Sequence, residues 1–127
     1  MSSQVPSDLL YAKSHEWARI QDGVATVGIT DHAQHELTDI VFVELPAKGR
    51  HVQVGEACAV VESVKTASDI YSPVAGEVIE TNPAVVNDPS LVNSAPYTDG
   101  WFFRVRLTSG APASLLSPTD YVAQIGE

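Results

Sequence analysis

Residues 60–78 constrain the fold more than any other stretch of this chain. Two β-patterned runs, residues 57–64 and 66–71, flank Lys65, and the turn Pro73-Val74-Ala75-Gly76 follows. Runs this rich in Val and Ile read as strands, so the break at Lys65 predicts a tight β-hairpin with a lysine at its tip. The chain has three lysines, Lys13, Lys48 and Lys65, and only this one is set in such a frame. A lysine held out on a hairpin tip suits the attachment of a covalent prosthetic group.

The rest of the chain also reads as mainly β. Residues 24–29 are β-branched and follow the turn pair Asp22-Gly23. Residues 40–45 form a second run, stopped by Pro46 and Gly49. Val52 and Val54 mark a short strand before Gly55. Residues 76–81 form another, ended by Asn82-Pro83. Trp101, Phe103, Val105 and Leu107 alternate with Phe102, Arg104 and Arg106, which is the period of a half-buried strand. Two helices interrupt the strands. Asp31, with Gln34 three residues on, opens a short helix to Leu37. Ser117-Pro118-Thr119-Asp120 supplies a cap, a proline at the first helical position and an acid in the first turn, for a helix through Gln124. Residues 87–100, rich in Asn, Pro, Ser and Asp, read as a long ordered loop.

Composition limits the functions available. The 127 residues predict one domain over 1–127, large enough for a real core, and 44% hydrophobic with 18% charged residues is the balance of a globular protein. A formal net charge of −9 argues against nucleic acid and favours basic docking patches on partner proteins. No apolar run is long enough to span a bilayer. The first residues carry neither a signal-peptide nor an Arg-rich transit pattern. The single Cys58 sits in an apolar run and reads as a buried small hydrophobe, so no intrachain disulfide is expected.

No self-contained catalytic constellation is present. His15-Glu16-Trp17-Ala18-Arg19 begins like a zinc-protease helix but has Arg19 where the second histidine would stand. His32 and His35 are read as ordinary helix residues, and no metal is expected. Around Lys65 the pattern is more specific. Glu62 and Asp69 place carboxylates on both arms of the hairpin, an acidic rim that an enzyme with a basic face could recognise.

These residues carry a resemblance. Glu62-Ser63-Val64-Lys65-Thr66-Ala67-Ser68-Asp69, with Ser72-Pro73 and Gly76-Glu77-Val78, resembles the lipoyl-attachment segment of the glycine cleavage system H protein family. Ser14-His15-Glu16-Trp17, Gly28-Ile29-Thr30-Asp31-His32-Ala33-Gln34, Val43-Glu44-Leu45-Pro46 and residues 91–101 are similar to the same family and occur in its order. Biotin-carrying domains usually flank their lysine with methionines, where Val64 and Thr66 stand here. Lipoyl domains of 2-oxo acid dehydrogenases are shorter and lack the Trp17 segment and the C-terminal helix.

The resemblance implies a flattened barrel-sandwich hybrid of lipoyl/biotinyl-carrier type, with a short internal helix and a C-terminal one. It implies a carrier in glycine catabolism and one-carbon metabolism, not an enzyme, with lipoate joined to Lys65 and Glu62 read by a lipoate ligase or lipoyl/octanoyl transferase. The implied partners are a pyridoxal-phosphate glycine decarboxylase, a tetrahydrofolate-dependent aminomethyltransferase and dihydrolipoyl dehydrogenase. Ser14, Glu16 and Asp69 match the groove that shelters the aminomethyl-bearing arm. Where the family often has a histidine beside that groove, this chain has Glu36, with His35 one place earlier. A monomer is expected, in a bacterial cytoplasm, or in a mitochondrial matrix if a presequence has been removed. Two other readings are a lipoyl relay in lipoate assembly and an unmodified β-rich binding module; an ammonium site at Glu16 and Asp69 favours aminomethyl transport over a pure relay.

Overall fold

The computed structural model describes residues 3–126. In chain order its elements are β1 (Leu10–Tyr11), β2 (Glu16–Gln21), β3 (Val24–Ile29), α1 (Asp31–Leu37), β4 (Ile40–Glu44), β5 (His51–Val52) and β6 (Ala57–Ser63). There follow β7 (Ala67–Tyr71), β8 (Gly76–Thr81), α2 (Pro83–Asn87), α3 (Ser90–Ser94), β9 (Phe103–Leu107) and α4 (Pro118–Ile125). The strands form two antiparallel sheets, ordered β1-β2-β3-β9-β8-β5 and β4-β6-β7, which are not closed into a barrel. Val27, Val78 and Val105 of the large sheet share one buried cluster with Val43, Val61 and Ile70 of the small one. The expected mainly-β layering is therefore present as a sandwich. Among the described residues no helix is long and apolar enough to cross a membrane.

Local chemistry explains the connections that place the site. Asp22 and Gly23 both have positive φ, 52° and 77°, as the two-residue turn of a β2–β3 hairpin requires. The helix α1 starts one residue earlier than the capping-box reading proposes. Thr30, not Asp31, is the cap, and its side chain accepts from the Ala33 N–H. Ser117 caps α4 as expected. The stretch read as a long loop contains α3, and just before it Asn82 caps α2 by accepting from Ala84 N–H.

The helix α1 ends abruptly at Thr38, whose φ is 65° and ψ −147°. A β-branched residue rarely adopts positive φ, and such strain costs on the order of 1–3 kcal/mol. Thr38→Gly is therefore expected to raise stability by about 1 kcal/mol, after the greater unfolded-state freedom of glycine is deducted. Chemical denaturation checks this, and an unchanged or lower midpoint would remove strain at Thr38 from the account.

A second aromatic cluster seals the outer face of β2. Tyr11 and Tyr121 stack with centroids 4.6 Å apart, and Trp17 and Tyr97 join them in the buried set. The Trp17 indole N–H donates to the Pro96 carbonyl at 2.9 Å. This cluster ties α4 to the strand that opens with Glu16.

Candidate functional site

The β6–β7 hairpin is closed by Ser63 N–H donating to the Thr66 carbonyl at 2.7 Å, leaving Val64 and Lys65 as its two-residue tip. Ser63 Oγ also accepts from the N–H groups of Lys65 and Thr66, at 3.2 and 3.1 Å. A serine bonding the backbone two and three residues on stiffens a turn locally. Val64 is 69% exposed, and its N–H donates to the Asp39 carbonyl at 3.0 Å. The tip is thus pinned to the segment that joins α1 to β4. Lys65 is exposed, and its Nζ donates to the Glu36 carbonyl at 3.2 Å.

Beside this tip lies a cleft of about 160 Å³. Ser14, His15, Glu16, Glu36, Ser68 and Asp69 supply its polar wall, and Ile29, Ala33, Leu37 and Ile70 its apolar floor. Three separate stretches of sequence, around residues 14–16, 29–37 and 68–70, meet here. Ser14, Glu16 and Asp69 all reach it. Glu36 joins them, whereas His35 faces Asp31 at 3.5 Å and takes no part. Glu62 is exposed on the hairpin, paired with Phe42 and Ala67, and does not line the cleft. On α1, His32 faces Glu36 at 3.6 Å, and no group of three or more His, Cys, Asp or Glu residues placed to hold a metal occurs among the described residues.

Glu16 is the chemically unusual residue. It is only 1% exposed. Ser14 Oγ donates to its Oε1 through a short contact, and Tyr71 N–H donates to its Oε2 at 3.1 Å. One carboxyl thus links the edge of the small sheet to the large one. Burial raises its pKa to about 7, against the opposing hydrogen bonds from Ser14 and Tyr71. The preceding His15 makes this possible. Its φ of 77° lets Ser14 and Glu16 face one another. Its ring Nδ1 lies 2.8 Å from Tyr121 Oη, which lies 2.7 Å from Thr30 Oγ1. His15 rings against His32 at 4.9 Å, and burial followed by that neighbour lowers its pKa.

This carboxyl makes stability depend on pH. The folded state holds the Glu16 proton more tightly than the unfolded chain, so the contribution is full below about pH 4.5 and is lost as pH rises through about 7. Between pH 5 and 8 the wild type is expected to lose on the order of 2 kcal/mol relative to Glu16→Gln. Parallel denaturation series of the two proteins check this, and parallel pH profiles would contradict it.

A larger cleft of about 320 Å³ is lined by residues that include Arg50, Cys58 and Asp69. Burial pushes the Cys58 thiol up to about 12, so it stays an unreactive packing residue.

The site also passes a test of fit for the implied prosthetic group. A primary amine sits at a stiffened tip, next to a cleft whose floor is apolar and whose wall holds carboxyl groups. That suits a flexible methylene chain carrying a polar cargo. A β scaffold presenting a lysine on a hairpin tip beside a cleft is the architecture of a swinging-arm carrier.

The comparisons agree. Residues 9–127 match the model of the glycine cleavage H-protein family. Similar proteins include the glycine cleavage system H proteins of Saccharophagus degradans, 60% identical over 97% of this chain and 96% of that one, and of Alcanivorax borkumensis, 56% identical over 97% of both. The crystal structure of the H protein from Mycobacterium marinum superposes with a TM-score of 0.91 at 41% identity, covering 97% of this chain and 100% of that one. This chain belongs to the glycine cleavage H-protein family. It is a lipoyl-carrying shuttle of the glycine cleavage system, bears its lipoate covalently on a lysine, and works with the enzymes of that system without being a catalyst itself.

Sequence reasoning did not find the parts of the site that come from packing. Ser63 was visible only as part of the attachment segment. Nothing in the local pattern marked His15 as strained, or Ser68 as a lining residue.

Proposed function

We propose that Lys65 carries the lipoate, that Glu62 is read by the lipoate ligase or lipoyl/octanoyl transferase, and that Ser14, Glu16 and Asp69 line the groove in which the cargo-bearing arm is sheltered. The reading rests chiefly on the convergence of Ser14, Glu16 and Asp69 on one cleft whose rim residue, Glu36, touches Lys65 Nζ. Lipoate, when bound, supplies a sulfur that accepts the aminomethyl group of glycine and later gives it up. The chain's own residues bind, orient and exclude water.

In this reading the apolar floor excludes water from the arm, and the Glu16 carboxylate accepts from the cargo's ammonium. Ser14 fixes the carboxyl's orientation. The positive charge of the cargo draws the proton off Glu16, because an opposite charge nearby favours the ionised form. Exposed Glu62 stays outside the groove, where it acts by steering the attaching enzyme. The finer set of partners is the pyridoxal-phosphate glycine decarboxylase, the tetrahydrofolate-dependent aminomethyltransferase and dihydrolipoyl dehydrogenase, met in the cytoplasm by a monomeric carrier.

The test is retention of the cargo. Wild type and Glu16→Gln are loaded with glycine and decarboxylase, the decarboxylase is removed, and ammonia release is followed. A hydrogen bond to a charged group contributes about 1.5–3 kcal/mol, so Glu16→Gln is expected to release ammonia roughly tenfold faster. Equal rates would take Glu16 out of the sheltering role.

A further inference from the structure

At Thr38 the α1 ladder stops, and that break leaves one carbonyl with an unusual partner. Thr38 N–H still closes onto the Gln34 carbonyl at 3.0 Å. Ile40 N–H, the donor that would close onto the Glu36 carbonyl in a continued helix, is instead held by Asn93 Oδ1 at 2.9 Å. Asn93 belongs to α3, and its Nδ2 also donates to the Thr38 carbonyl at 2.8 Å and to Gln34 Oε1 at 2.9 Å. One side chain thus staples the end of α1 in its broken form. The last carbonyls of a helix need outside donors, and the Glu36 carbonyl receives Lys65 Nζ at 3.2 Å.

This contact is not left to chance encounter of a long side chain. The hairpin tip is already tied to the same connection by Val64 N–H and the Asp39 carbonyl, at 3.0 Å. Tip and broken helix end therefore keep a fixed spacing. Glu36 and Leu37 line the cleft as well, so the carbonyl stands where the hairpin side chain and the cleft meet.

We infer that the Glu36 carbonyl is the acceptor for the amide N–H at the root of the acylated Lys65, with Asn93 as the positioning residue that keeps this carbonyl free. An ammonium has three N–H groups and an amide has one, so acylation removes the charge but leaves a donor for the same acceptor. The arm would then leave the hairpin across the end of α1, already directed at the cleft. A swinging arm anchored at its root searches a smaller volume and reaches the groove without losing contact with the tip. The inference rests on attachment at Lys65.

The experiment uses the uniformly ¹⁵N-labelled, lipoylated full-length protein. The acylated lysine gives a side-chain amide signal that an unmodified lysine lacks, assigned by its loss in Lys65→Arg. Its solvent-exchange rate is compared with that of a short lipoyl-lysine peptide. The expected result is exchange at least tenfold slower in the protein, in both the disulfide and dithiol forms. In Asn93→Ala the rate is expected to return to within about twofold of the peptide, while the Trp17 indole N–H signal, bonded to Pro96, stays unmoved. Peptide-like exchange in the folded wild type would overturn the inference while leaving attachment standing. Unaltered slow exchange in folded Asn93→Ala would overturn the part given to Asn93. Absence of any side-chain amide signal that Lys65→Arg removes would overturn attachment at Lys65 itself, and the two failures are therefore distinct.

Discussion

Lys65→Arg is expected to abolish lipoylation and carrier activity completely while leaving the fold intact. The guanidinium stays protonated and its lone pairs are delocalised, so it cannot form the amide that an amine forms. The side chain is exposed at the tip, and its hydrogen bond to the Glu36 carbonyl can be made by an arginine N–H. Surface substitutions of this kind change stability by no more than about 0.5 kcal/mol. Intact mass after expression with the attaching enzyme reads the modification, and thermal unfolding reads the fold. A lipoyl adduct on the Lys65→Arg protein would reassign the site to Lys13 or Lys48.

Gly76→Ala is expected to have the largest effect on stability. Gly76 opens β8 with φ of 156°, and a Cβ built on it would lie 2.0 Å from the Arg106 carbonyl oxygen. That oxygen belongs to the backbone of β9, which pairs with β8 over Gly76 to Thr81, so it cannot swing aside as a side chain would. Backbone strain of about 1–3 kcal/mol adds to overpacking of about 1–3 kcal/mol, for a loss on the order of 4 kcal/mol. Against the 5–15 kcal/mol that holds a typical domain together, such a change leaves a marginal fold. A denaturation midpoint close to that of the wild type would mean that β9 yields at this point. The same turn follows the lysine hairpin directly, so lipoylation of Gly76→Ala should fall with its folded fraction.

How far the sequence could be read is clearest element by element. The strands β3 and β8 matched their runs at residues 24–29 and 76–81 because β-branched residues there are bounded by turn chemistry at Asp22-Gly23 and Asn82-Pro83. The strand β2 showed no alternation. Glu16, Trp17 and Ala18 are all buried in succession, since the core covers one face and the Tyr11–Tyr121 cluster the other, and a strand covered on both faces loses its period of two. The helices α2 and α3 are five residues each, too short to display a period of 3.6, and their Asn and Pro residues serve as helix starts where composition alone reads loop. At α1 an acid at the first helical position hid the true cap, Thr30.

By itself the sequence determined that the chain is mainly β, that Lys65 stands on a hairpin tip, and, through motifs spread along its length, which family it resembles. These depend on neighbours within a few residues, or on short patterns that survive being read one at a time. The tertiary structure decided that Glu36 joins Ser14, Glu16 and Asp69 at one cleft while His35 and Glu62 do not. It alone decided that the Glu16 carboxyl is buried enough to hold its proton to about pH 7, and that Asn93, 53 residues from Ile40, holds the N–H that would otherwise close onto the Glu36 carbonyl. A pKa is set by the solvent a group has lost, and a free acceptor by the donor that went elsewhere. Both are properties of packing between distant segments, which no local pattern records.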